Sequence, residues 1–137
     1  MNIFFIGSIR GGRAHQPQYE FIVKKLKLMG TVFSGFISDE NLSEYGETNI
    51  ADSEILAREL EALGKCDVVV AEVTTPSLGV GYLIAQATSL SKSVIALYFG
   101  EDTLKLSAMI KGDQKVEIHA YKTDEDIGKI LRETIKS

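Results

Sequence analysis

The sequence predicts an open, doubly wound α/β fold, a three-layer sandwich of the flavodoxin or Rossmann type on a five-stranded parallel sheet of order 2-1-3-4-5. Three observations predict it. Short apolar runs at 2–6, 31–36, 67–71, 93–99 and 115–121 alternate with stretches of helical period. The run DVVVA at 67–71 is apolar without polar alternation, the mark of a strand buried on both faces of a parallel sheet. The glycine-rich turns GSIRGGR (7–13) and TTPSLGVG (74–81) follow the first and third runs, whose carboxyl ends flank the switch point where open α/β sheets bind ligands.

Each element has its own justification. The first strand, NIFFI, stops at Gly7. Pro17 suits the first turn of a helix reaching about residue 29, with Tyr19, Ile22, Val23 and Leu26 on one face and Gly30 as its stop. The strand at 31–36 completes a βαβ unit, whose crossover should be right-handed. Residues 37–49 turn polar and acidic around Tyr45, and read equally as a lid or as plain surface. A helix over 51–63 points Ile55, Leu56, Leu60 and Leu63 inward, and Gly64 closes it. After the central strand, Val80, Leu83, Ile84, Ala87 and Leu90 recur at helical spacing. The strand at 93–99 is followed by LSAMIKG (106–112), a short helix or turn in which Lys105 and Lys111 bracket Ser107. Glu117 and His119 make 115–121 an edge strand, and Ile127, Ile130, Leu131 and Ile135 form the face of a last helix at 124–135. With no linker or repeat, 1–137 reads as a single domain.

Composition excludes several functions. A net charge of -4 supplies no basic field for a polynucleotide. No stretch approaches the roughly 18 apolar residues of a membrane span, and the opening MNIFFIG is too short for a signal-peptide core. Cys66 is the one cysteine, so no intrachain disulfide is possible and a reducing, cytoplasmic setting is expected. Two histidines, His15 and His119, with that cysteine spell no metal site, and no cofactor is expected. His15 follows the basic loop and could touch a ligand, whereas His119 reads as structural. Ser77 lies in no G-x-S-x-G elbow and has no triad companions.

The two turns carry the chemistry. Gly7, Ser8, Ile9, Arg10, Gly11, Gly12 and Arg13 offer backbone N–H groups, a hydroxyl and guanidinium forks, a plausible anion cradle. The spacing is neither a dinucleotide fingerprint nor a P-loop, so neither NAD nor ATP is indicated. A surface turn with solvated arginines is the plainer alternative. Ser77, Gly79 and Gly81 supply a second set of donors at a helix start. Together they favour a small phosphorylated ligand.

Three stretches in this order, GSIRGGR at 7–13, DVVVAEVTTPSLGVGY at 67–82 and LSAMIKG at 106–112, resemble the 2'-deoxynucleoside 5'-phosphate N-hydrolases, a branch of the nucleoside 2-deoxyribosyltransferase superfamily. The resemblance spans nearly the whole chain. It implies a homodimer and a deoxynucleoside monophosphate ligand, whose N-glycosidic bond the family cleaves through a covalent 2-deoxyribosyl enzyme. Under it, Ser8 to Arg13, Ser77, Gly79 and Gly81 match the ligand loops, and Ser107 matches a serine given to the phosphate site across the dimer interface.

The catalytic positions depart from that pattern. The family's nucleophilic glutamate is matched by Leu83, the tyrosine that helps place it by Phe4, and an aspartate with acid and sugar-orienting roles by Glu59. Leucine has no lone pair with which to displace a base. The expectation is therefore a nucleoside 5'-monophosphate-binding protein with altered or absent catalysis. The alternatives are an active N-glycoside hydrolase using Glu59 or a loop carboxylate, Asp39, Glu40 or Glu44, and a structural or signalling homodimer. Leu83 also belongs to the apolar helix stripe and could simply pack in the core.

Overall fold

The structure, a computed structural model, describes residues 1–8, 16–34, 50–101, 103 and 105–136. In chain order the elements are β1 (Asn2–Ile6), α1 (Gln16–Lys27), β2 (Thr31–Phe33), α2 (Asp52–Lys65), β3 (Val68–Glu72), α3 (Leu78–Ser89), β4 (Ser93–Phe99), α4 (Ala108–Lys111), β5 (Val116–Tyr121) and α5 (Asp124–Thr134). The strands form one sheet in the order β2-β1-β3-β4-β5, as the sequence predicts. Every pairing is parallel; Phe4 lies beside Val69, and Val69 beside Val94.

Strand alternation divides the core into two layers. Phe4, Ile6, Val69, Ala71, Val94 and Ala96 face the side covered by α2, α3 and α4, where they meet Leu63, Val80, Ile84 and Ala87. Ile3, Phe5, Val68, Val70, Ile95 and Leu97 face α1 and α5 and pack on Tyr19, Ile22, Leu26, Ile127 and Leu131. β3 is buried along its whole length because it sits between β1 and β4 with helices on both faces.

Three details differ from the sequence reading. β3 runs one residue further than expected, to Glu72. Gly64 does not close α2: the helix continues to Lys65, and Cys66 caps it by donating its backbone N–H to the carbonyls of Ala62 and Leu63. The cause lies in a distant segment, since Lys92 Nζ donates to the carbonyl oxygens of Gly64 and Cys66 (3.2 and 2.8 Å) and holds the helix end together. Leu56 and Leu90, expected inward, are exposed; Leu90 lies past the last residue of α3, as its C-cap. Gly30 ends the α1 turn for a steric reason: a Cβ there would lie 2.3 Å from the Met1 carbonyl oxygen, which accepts the N–H of Thr31 as β2 begins. The far half of the expected second strand lies outside the described residues.

Candidate functional site

The carboxyl ends of β1 and β3 are adjacent in the sheet, so the turns that leave them open side by side. Gly7 and Ser8 leave β1, and Ser8 is buried at 3% exposure. Gly7 packs closely, since a Cβ there would stand 3.1 Å from the Tyr19 ring, a tight contact. Ile9, Arg10, Gly11, Gly12, Arg13 and His15 lie outside the described residues, as do Asp39, Glu40, Glu44 and Tyr45.

On the β3 side Ser77 is the N-cap of α3, its Oγ accepting the N–H of Val80 at 3.2 Å. That bond uses an oxygen lone pair and leaves the hydroxyl proton available for an acceptor. Gly79 and Gly81 are not demanded by packing among the described residues. A Cβ on Gly79 would meet only Ser77 Oγ, at 3.8 Å, and one on Gly81 would meet nothing within 4 Å. The first turn of α3 thus presents open backbone and a partly exposed serine at the helix's positive end.

Phe4 and Leu83 both belong to the apolar layer beneath this turn: Phe4 is fully buried, and Leu83 is half-buried against the same cluster. Both side chains therefore act here as packing partners. Glu59, on α2, keeps only 16% of its side chain exposed and pairs with Arg58 at 3.0 Å. Ser107 stands apart within one chain. It caps α4 by accepting the N–H of Met109 at 3.2 Å, and α4 packs at β5, two strands from β3.

A cluster that the sequence reading passed over lies on the other face of β3. Glu72 is wholly buried. Its Oε1 accepts the backbone N–H of Thr74 at 2.7 Å, and its Oε2 accepts the hydroxyl of Tyr121. Thr74 Oγ1 in turn accepts the N–H of Phe99 at 2.9 Å. Tyr19 stands nearby with its ring edge-on to Phe5, and the Ser8 backbone hydrogen-bonds its hydroxyl. Burial pushes the Tyr19 phenol up to about 12, with the Glu72 charge adding to the effect. The same two causes, in the same order, raise Tyr121 further. One sequence signal existed: a carboxylate ending an otherwise apolar central strand is costly unless it is paired.

Among the described residues no group of three or more His, Cys, Asp or Glu is placed to hold a metal ion, and no helix is long and apolar enough to cross a membrane.

Comparison with known proteins gives relatives over the full length of the chain. It is 43% identical over 136 residues to the 5-hydroxymethyl-dUMP N-hydrolase of Danio rerio, covering 97% of this chain and 94% of that one. The protein of the same name from Esox lucius is 39% identical over 141 residues, covering 99% and 97%. No protein-family model matches. Among solved structures, the CMP N-glycosidase BcmB of Clostridium botulinum superimposes with a TM-score of 0.67 over 96% of this chain and 98% of that one, at 16% identity, a likeness of fold.

Proposed function

Because the chain belongs to the 5-hydroxymethyl-dUMP N-hydrolase family, we propose that it binds a nucleoside 5'-monophosphate between the turns after β1 and β3, and that double displacement through position 83 does not run. The observation that carries this reading is an open, donor-bearing turn at Ser77 and Gly79 beside an apolar Leu83 and Phe4. Ser77, Gly79 and the start of α3 offer donors and open backbone, while Leu83 and Phe4 are bound into one hydrophobic cluster. A missing nucleophile together with a missing tyrosine hydroxyl is chemically coherent. A buried hydroxyl left without its carboxylate partner costs about 1–3 kcal/mol, which phenylalanine avoids. Ser8, Arg10 and Arg13 complete the phosphate contacts in this reading, with Ile9, Gly11 and Gly12 shaping the turn.

The test is calorimetric titration with deoxynucleoside and ribonucleoside monophosphates, alongside an assay for released base. Binding without base release supports the proposal; no binding to any monophosphate removes it. In the double variant Phe4→Tyr with Leu83→Glu, gained base release would show that the remaining site is competent.

A second reading keeps hydrolysis, with Glu59 activating water for direct attack. It is favoured by the low exposure of this glutamate on a largely solvent-facing stretch of α2. Base release that survives in the wild type and is lost in Glu59→Gln would establish it.

The working unit in either reading is a homodimer of single 1–137 domains in the cytoplasm. Support comes from Leu78, Met109 and Tyr82 on α3 and α4, which are 95%, 83% and 48% exposed although apolar. Ser107 beside Met109 would then reach a partner's crevice. Sedimentation of Leu78→Glu and Met109→Glu as monomers, against a dimeric wild type, is the expected result.

A further inference from the structure

Glu72 takes no part in either reading above, yet it ends the central strand directly before the β3 turn. It cannot be a substitute nucleophile. Its side chain leaves β3 on the α1 and α5 face, opposite Phe4 and Leu83, it has no exposure, and both oxygens accept hydrogen bonds. Packing alone does not account for it either, because the preceding residues of β3 are filled by valine and alanine. An ionisable group in such a place is tolerated when every lone pair meets a donor.

Its connections explain the placement. Toward the β3 turn, Glu72 Oε1 holds the N–H of Thr74 at 2.7 Å, and Thr74 Oγ1 holds the N–H of Phe99 at 2.9 Å, so the chain is fixed at the point where it leaves β3 for Pro76 and Ser77. Across the sheet, Tyr121 at the end of β5 reaches over β4 to Glu72 Oε2, and its ring stands edge-on to Phe99 at 5.6 Å. Toward the β1 turn, Tyr19 packs in the same buried cluster as Tyr121, its ring against Gly7 and its hydroxyl bonded by the Ser8 backbone. Gly7 and Ser8 on one side and Thr74 to Ser77 on the other thus rest on one buried carboxylate and two phenols from three different elements.

We propose that Glu72 is a positioning residue that fixes the β1 turn and the β3 turn relative to one another and so sets the width of the anion-binding crevice. The proposal rests on the reading of that crevice as a monophosphate site. A phosphate bridged by donors from two separate turns is held well only if their spacing is fixed before the ligand arrives. Glu72 fixes it from below, without touching the ligand.

Amide hydrogen exchange in the ligand-free protein decides the matter independently of binding. In Glu72→Leu the amides of both Thr74 and Ser8 should exchange at least about tenfold faster after correction for any change in global stability, because the Thr74 bond is lost on one side and, on the other, Tyr121 loses its partner in the cluster that it shares with Tyr19. Amides of Val69 and Ile95 should follow global stability alone. Glu72→Gln, which keeps an acceptor for Thr74, should restore much of that amide's protection. Tyr121→Phe leaves Glu72 in place and repeats the test should the leucine variant not fold. Acceleration of Thr74 without Ser8, or uniform acceleration of every amide, overturns the proposal. Where the wild type binds a deoxynucleoside monophosphate, Tyr121→Phe should weaken that binding about tenfold; unchanged affinity overturns the proposal. A wild type that binds no monophosphate defeats the functional reading alone, and the exchange rates still answer for Glu72.

Discussion

Leu83 is a packing residue of α3. It packs half-buried against the layer that contains fully buried Phe4, Val80 and Ile84. Leu83→Glu alone therefore places a carboxyl against hydrocarbon and should cost about 1–3 kcal/mol in urea denaturation. Adding Phe4→Tyr should recover part of that loss if the new hydroxyl meets the new carboxylate, a coupling that a double-mutant cycle measures directly. The packing of both residues was legible in the sequence, because Phe4 lies in an apolar strand run and Leu83 in the apolar stripe of the helix after β3. Glu72 was not legible as a hub, since its Tyr121 partner is 49 positions away and comes from an edge strand. Its strand position was visible; its bonds depend on which strands and helices the fold brings together.

Helix ends show the same division between local and distant causes. Thr123 and Asp126 form a reciprocal capping box at the start of α5, readable from four consecutive residues. Thr123→Ala should destabilise the protein by about 1 kcal/mol, measured by thermal or urea unfolding, and leave the crevice unaffected. The end of α2 is the opposite case. Gly64 looks like a stop, yet the helix passes through it because Lys92 supplies the donors that the last carbonyls lack. Lys92→Met keeps the aliphatic stem and removes those bonds, with an expected loss of about 1.5–3 kcal/mol and earlier exchange of the amides at the end of α2. The strand order and the two-layer core were readable from apolar runs alone, because parallel strands need burial on both faces and the chain spends its β-branched residues there.

At the scale of the molecule, the buried phenols govern behaviour in alkali. Folding raises Tyr19 from 10.0 to about 12 and raises Tyr121 in the same direction. Each therefore contributes stability that is fully present below the unfolded value of 10.0 and is lost as pH climbs through the folded value. Unfolding free energy should fall as pH rises above 10.0, and a spectroscopic phenolate titration should show Tyr19 and Tyr121 ionising late or only with unfolding. In acid the sign reverses. Asp126 is held below its ordinary 3.8 by the backbone N–H groups of Lys122 and Thr123, so its contribution is present above that value and disappears as pH falls below it. The Lys92 bridge adds a chemical consequence of a different kind. Its ammonium is bonded at the amino-terminal edge of the sheet, away from the crevice, with its chain only half-buried. An acyl group on that nitrogen would remove the positive charge and two of its three protons. Reagents that acylate amines would then loosen the molecule at the end opposite the turns after β1 and β3, and the damage would register as lost fold while those turns stayed chemically untouched.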